Sequence, residues 1–379
     1  MGCLFGQYQY SAIVSGESLQ SLLSAALSNS PHALLIFCCD ESLKNHTFLD
    51  PILTSLQVPV FGGVFPAIIL EGKVFEKGII VLPIMTPVEV KVFENLKNAP
   101  TSTFDLTNEL PNSESAIVLI DGLSRNIDFA LNLIFEHYGK KLKVFGGGAG
   151  SLSFEQNPCL FSNQGLLTDA MLVAFMQIPW DLAVGHGWEV LQGPFLANEV
   201  DDNKIIQLNF QPALEVYENV IKDFENKLFA EHDFFELAKI YPFGIQRLDD
   251  DILVRDPVSV EQTSLLCVGK VPENTMLYIL KGQNSNLVKA AVDSVESSIT
   301  TNFNGQGLLF NCVSRQLFLE NEFESELQGI ASAMGNSELI GALVLGEVAS
   351  GESGAIHFHN KTAITATTKT FPILTKELD

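Results

Sequence analysis

A pattern of elements that recurs three times along the chain constrains its fold more than any other feature of the sequence. The apolar run Ala33-Leu34-Leu35-Ile36-Phe37-Cys38-Cys39-Asp40 predicts a buried strand, and a polar, helix-like stretch follows it. Val58-Pro59-Val60-Phe61-Gly62-Gly63 comes next, then a polar tip at Glu71-Gly72-Lys73 and a second strand pair ending near Ile84. The same order returns from Ser115. Ala116-Ile117-Val118-Leu119-Ile120-Asp121-Gly122 predicts the strand, and Leu142-Lys143-Val144-Phe145-Gly146-Gly147-Gly148 repeats the glycine step. Phe161 to Met176 then holds two more strands around Asn163-Gln164-Gly165. Between strand and glycines, Ile127, Ala130, Leu131, Ile134, Phe135 and Tyr138 fall at helical spacing, with Gly139 as a stop. The third copy begins at Leu308-Leu309-Phe310-Asn311-Cys312. Its helix face is Phe323, Leu327, Ile330, Ala331 and Met334, ended by Gly335, with strands over Leu339–Val348 and Ala355–Thr365.

Such strand–helix–strand–strand units predict an α/β fold of mixed sheets built from repeated β-α-β-β units. Two adjacent copies and a distant third suggest two pseudo-symmetric domains, and 379 residues suffice for two cores. Pro212 opens a helix whose buried stripe is expected at Leu214, Tyr217, Ile221, Phe224 and Leu228. A further helix is expected over Leu287–Ile299. The junction is placed between 222 and 233, giving domains 1–222 and 223–379. At Gly62-Gly63 and Gly146-Gly147-Gly148 the expected role is a tight turn at a strand end, with ligand contact as the alternative.

Charge excludes some partners. With 45 acidic against 22 basic residues the formal charge is −23, and no basic stripe offers itself to a nucleic acid or an anionic membrane. Six cysteines are scattered without a C-x-x-C pair, which predicts buried thiols in a reducing compartment and excludes c-type haem attachment. The first basic side chain is Lys44, so the start of the chain does not read as a secretory signal, and Gly6 stands where myristoylation wants Ser or Thr. No apolar run reaches the length of a membrane span. A cytoplasmic protein is expected.

Catalytic templates mostly fail. Gly146-Gly147-Gly148-Ala149-Gly150-Ser151 approaches a dinucleotide fingerprint, but Ser151 replaces the last glycine and no acid follows at the ribose distance. A phosphate-loop lysine, a G-x-S-x-G elbow and H-E-x-x-H are all absent from the sequence. A dyad of Cys312 with His357 or His359 is open in principle, against a buried structural cysteine. His32, His46, His137 and His232 lie in polar or helical surroundings and are expected at the surface. His186 differs, flanked by Gly185 and Gly187 and followed by Trp188. His357 and His359, two apart, share one face of a strand, with Phe358 on the other. Zinc wants three or four ligands, whereas a haem iron needs one or two plus an apolar slot, and 27 phenylalanines can line one. The alternative is that His359 and Asn360 bond backbone at a strand end.

With these landmarks the chain resembles the FIST family, whose two modules are FIST-N and FIST-C. The resemblance rests on Val144-Phe145-Gly146-Gly147-Gly148-Ala149-Gly150, His186-Gly187-Trp188 and Pro212-Ala213-Leu214-Glu215-Val216-Tyr217. Further on it rests on Tyr241-Pro242-Phe243-Gly244, Arg255-Asp256-Pro257 and Cys312-Val313-Ser314-Arg315. Gly346-Glu347 and Phe358-His359-Asn360-Lys361-Thr362 complete it, over about Pro31 to Thr368. Leu345 stands where the family usually has an aromatic, and Val64-Phe65-Pro66 replaces small polar residues. The resemblance implies a sensor of small ligands, not an enzyme, with no output domain of its own. Family members are similar to haem-holding nitric-oxide sensors that regulate histidine kinases or cyclic-di-nucleotide enzymes in trans; others have been linked to amino acids. A haem b cofactor is therefore expected, with His186, His357 or His359 as the axial ligand. Gly146, Gly147, Gly148, Trp188, Cys312, Arg315, Glu347 and Asn360 are expected around the ligand. An organic ligand hooked by Arg315, Glu347 and Asn360 is the alternative, and a Cys/His-dependent enzyme the third reading. A homodimer is one assembly this allows.

Overall fold

A computed structural model describes residues 4–43, 47–98, 104–107, 110, 112–225, 234–247, 252–299, 305–335 and 337–369. The predicted His46, His232 and Leu228 lie outside the described residues. Each of the three apolar runs forms a strand buried along its whole length: Ala33–Cys39, Ser115–Asp121 and Gly305–Cys312. A continuous apolar run is what a strand covered on both faces requires. Each is followed by helix and then by a parallel neighbour, Val60–Phe65, Lys143–Ala149 or Leu339–Val344. A return strand, Ile79–Ile84, Ala170–Met176 or Ala363–Lys369, pairs antiparallel on the other side. A flanking strand then closes each edge: Gln9–Ser11, Val88–Glu94 or Asp181–Gly185.

The hairpin that lies between the second strand and the return strand does not stay in its own sheet. Ala67–Leu70 and Lys73–Phe75, from the first unit, add to Leu339–Val344 of the third. Glu347–Ser350 and Ile356–His359, from the third, add to Lys143–Ala149 of the second. Leu160–Ser162 and Gly165–Leu167, from the second, add to Val60–Phe65 of the first. Three six-stranded sheets result, each completed by the hairpin of another unit. The mixed α/β fold is thus as expected, and the symmetry relates three units within it. The exchange also splits two of the expected long strands, Leu339–Val348 and Ala355–Thr365, each into a sheet strand and a guest strand.

The glycine step has a packing cause rather than a turn. Gly62, Gly146 and Gly341 occupy the same register position, opposite Ile36, Val118 and Leu309. A Cβ there would stand 2.1, 1.9 and 2.0 Å from the carbonyl oxygens of those three residues. Only glycine lets the parallel strands approach this closely.

Alternating side chains of the strands feed two sides of each sheet. Phe37, Phe145, Phe310 and Trp180 meet in a central core shared by all three units, with Phe37–Phe310 and Phe145–Phe310 centroids at 6.0 and 6.3 Å. Helix Ile127–Tyr138, found where its periodicity placed it, covers Ala116, Val118 and Ile120. Helices Asn284–Ser298 and Phe323–Ala333 cover the third sheet.

A fourth, eight-stranded antiparallel sheet, from Glu189–Ala197 to Thr275–Lys281, is inserted between the flanking strand of the third unit and its helix Asn284–Ser298. It packs on helix Ala213–Glu225 through Ala213, Val216, Tyr217, Val220 and Ile221. The expected stripe is rotated toward Val216 and Val220, and Phe224 is exposed. The expected division at 222 falls within this helix, and strands from both sides of it share the second and third sheets. Among the described residues no helix is long and apolar enough to cross a membrane.

Candidate ligand-binding cleft

Where the third unit turns the corner from Ile356–His359 into Ala363–Lys369, three consecutive polar residues, Asn360, Lys361 and Thr362, are almost completely buried. Burying them requires partners. Lys361 Nζ forms an ion pair with Asp256 Oδ1 of the inserted sheet at 3.1 Å and donates to the carbonyl of Lys239 at 3.1 Å. It also sits 5.2 Å above the Trp188 ring, whose Nε1 donates to the Lys361 carbonyl at 3.0 Å. Ser314 Oγ donates to the other Asp256 oxygen at 2.7 Å. The Thr362 amide donates to Glu347 Oε2 at 3.1 Å. One corner therefore ties the guest hairpin, the third sheet and the inserted sheet together.

Behind it, Arg315 and Glu326 form a fully buried pair, with Arg315 Nη2 on Glu326 Oε2. Asn311 Nδ2 donates to Glu326 Oε1 at 2.8 Å. Arg315 Nε donates to Glu326 Oε1 at 3.4 Å, and the other guanidinium hydrogens go to the carbonyls of His186 (2.7 Å), Lys361 (3.1 Å) and Leu287 (3.0 Å). Every direction of Arg315 is used, so it acts as a strut, not as a hook for a ligand.

In front of the corner lies a cleft of about 790 Å³. Its walls come from the loop and first turn around helix Ile127–Tyr138, from the inserted sheet between Ile245 and Pro272, and from the third unit. Cys312, Ser314, Gly346, His357, Phe358 and Asn360 supply the third-unit wall. Of the expected site residues, Cys312, His357 and Asn360 line it. Gly146, Gly147, Gly148, His186, Trp188, Arg315, Glu347 and His359 do not. The three glycines stand one layer behind: a Cβ on Gly148 would meet the Leu345 carbonyl at 2.7 Å, and one on Gly147 the Val344 side chain at 2.7 Å.

The histidines are set apart by burial. His186 Nδ1 accepts from the Trp188 amide at 3.0 Å, and burial together with Arg315 lowers its pKa to about 4. His359 is buried and held well below the usual histidine range, first by burial and then by His357 and Arg255. His357 and His359 do share a strand face, with ring centroids 5.9 Å apart, but only His357 reaches the cleft. A haem seated in this cleft therefore has His357 as its candidate iron ligand. The Cys312 thiol is pushed up by burial and by Glu347, which keeps it protonated rather than nucleophilic. Burial also raises the Glu347 carboxyl well above the ordinary range.

Residues that sequence reasoning passed over carry much of the site. Arg255 and Asp256 were read only as part of a motif, and Lys361 likewise, although all three are buried charges. The available signal was scarcity: the chain has four arginines, Arg125, Arg247, Arg255 and Arg315. The first three line the cleft and the fourth braces its back.

Comparison with known proteins bears on the whole arrangement. The family model described as the FIST N domain matches residues 32–211, and that described as the FIST C domain matches residues 213–350. No curated protein matches the chain. The cleft draws its walls from both matched regions, and the two matches together span most of the sequence. The chain belongs to the FIST family, whose domains are associated with sensing small ligands in signal transduction.

Proposed function

We propose that this protein is a sensor whose receptor site is the cleft between the inserted sheet and the three-unit body. The observation that carries this is a ligand-sized concavity of about 790 Å³ walled by both FIST modules, with buried polar groups converging on it. A ligand touching Asn360 on one wall and Arg255 on the other bridges elements that the Lys361–Asp256 pair already couples. It thereby favours one relative setting of the two modules, and a partner that reads this setting receives the signal. A histidine kinase or a cyclic-di-nucleotide enzyme acting in trans is the proposed partner. The ligand is proposed to be a small organic molecule, and the cleft is assigned no catalytic role, in keeping with a thiol that burial keeps protonated.

A thermal-shift screen of the full chain against a metabolite panel tests the site. A binder raises Tm in a saturable way. The same compound is expected to have no effect on Val258→Trp, which fills the cleft from the inserted sheet. Stabilisation that survives Val258→Trp places the ligand elsewhere and sinks the proposal.

A second reading is supported by His357, a histidine on the cleft wall beside Phe358 and Ile356. It is a haem sensor of nitric oxide, in which the haem supplies an iron that takes up the gas. Here His357 would hold the iron from the cleft wall. Protein reconstituted with haem should then show a sharp Soret band that is lost in His357→Ala. A spectrum indifferent to that substitution removes this reading.

A further inference from the structure

In a chain of formal charge −23 with 22 basic residues, cations are not spread evenly. Arg125, Arg247, Arg255 and Lys270 all face one cleft. Among the described residues the carboxylates in its walls are Asp128, Asp202 and Asp256, and Asp256 is already paired with buried Lys361 at 3.1 Å. Among the described residues two carboxylates are left against four cations, the reverse of the balance over the whole molecule.

Arg255 is the most exacting of the four. Its guanidinium is buried, with Nε donating to the Lys270 carbonyl at 2.8 Å and Nη1 to those of Phe358 and Val254 at 2.9 and 3.1 Å. Among the described residues Nη2 makes no hydrogen bond, and its nearest ion-pair partner is Asp128 Oδ1 at 3.8 Å. That edge of the guanidinium stands at the cleft wall, where an anion can take it up. Arg125 and Arg247 make no ion pair among the described residues, and Arg247 adds like charge beside Arg255.

The backbone repeats the sign. The twelve-residue helix Ile127–Tyr138 directs its first turn at the cleft. Its N-cap residue Asn126 makes no capping bond, because its side chain is turned away to donate to the carbonyls of Leu96 and Lys97 at 3.0 and 3.2 Å. The first-turn N–H groups therefore have no side-chain cap from Asn126, and Asp128 is the acidic residue of that turn. Across the cleft, Asn360 is 1 % exposed, and its Oδ1 has no hydrogen-bond partner among the described residues. It is a spare acceptor in the cleft wall.

We infer that the cleft binds a small organic oxyanion, seating a carboxylate or phosphate group between Arg255, Arg247 and the N-terminus of helix Ile127–Tyr138. The inference rests on the cleft being the receptor site and adds the charge class of what enters it. Arginine rather than lysine suits this task, since its planar fork meets two oxygens at once.

Calorimetric titration and thermal shift on the full chain, at constant ionic strength, test it with paired probes. Succinate and citrate stand for carboxylates, glycerol 3-phosphate and inorganic phosphate for phosphates, and succinamide and glycerol are the uncharged counterparts. At least one anion should bind saturably while its uncharged counterpart does not. Comparing the two anion sets identifies the group the guanidiniums prefer. Arg247→Gln, which is not in the core, should weaken that anion about tenfold or more, as the loss of a charged hydrogen bond does. Arg255→Lys keeps the charge but not the fork and should weaken it similarly. Binding of succinamide as tight as succinate, abolished by Val258→Trp, overturns the charge assignment while leaving the cleft as the site. No response to any anion, or an anion response unchanged in Arg247→Gln, overturns the inference as well.

Discussion

A methyl group on Gly341 would stand 2.0 Å from the Leu309 carbonyl, and the same clash repeats at Gly62 and Gly146. Gly341→Ala is accordingly expected to cost about 3 kcal/mol, the upper end of what overpacking a core does, with the loss read from urea unfolding. A neutral result would mean that the strands part without cost. At this scale the sequence was partly legible. Gly62 and Gly146 stood out because they sat in doubled and tripled glycines, whereas Gly341 is single and was hidden within an apolar run. The three cleft arginines went unread for a different reason. Position along a chain says nothing of which side chains converge, and only their rarity in the composition hinted at a shared task. His186, His357 and His359 stood out as candidate ligands, but flanking glycines and strand alternation do not reveal whether a ring faces a cavity or a carbonyl.

Among elements, helices Val313–Leu319 and Phe323–Ala333 are held to each other by Arg315 and Glu326. Glu326→Leu leaves a guanidinium buried without its counterion and is expected to cost about 3–5 kcal/mol in urea unfolding. Replacing both partners, Arg315→Met with Glu326→Leu, should recover most of that loss. If the double variant is as unstable as the single one, the pair contributes through its carbonyl contacts rather than its charge. Helix Ile127–Tyr138 was fully legible because its face repeats every three or four residues over its whole length. The inserted sheet was not, because its strands are half-exposed. Glu189–Ala197, for example, is largely open to solvent and lacks the apolar run that announces a buried strand.

For the molecule as a whole, the exchanged hairpins set how it unfolds. A fragment of residues 32–211 would lack the guest hairpin of the second sheet and the three central strands of the third sheet. We expect it to show no cooperative transition, whereas the intact chain should lose Trp180 and Trp188 fluorescence signatures at one urea midpoint. Two separated midpoints would show that the modules stand independently. Local pattern could reveal that three similar units exist, since each carries its own strand and helix signals. It could not reveal whose sheet a hairpin joins, because pairing partners some two hundred residues apart, such as Gly147 and Glu347, leave no periodic trace. The ring of exchanges has a consequence for how such a receptor can be modified. A closed chain of loans has no last member, so no unit can be lost, duplicated or swapped without leaving one neighbour a strand pair short and another with an unpaired edge. Novelty is confined to what hangs from the ring rather than what forms it, and that is where this protein carries its extra sheet and one wall of its cleft.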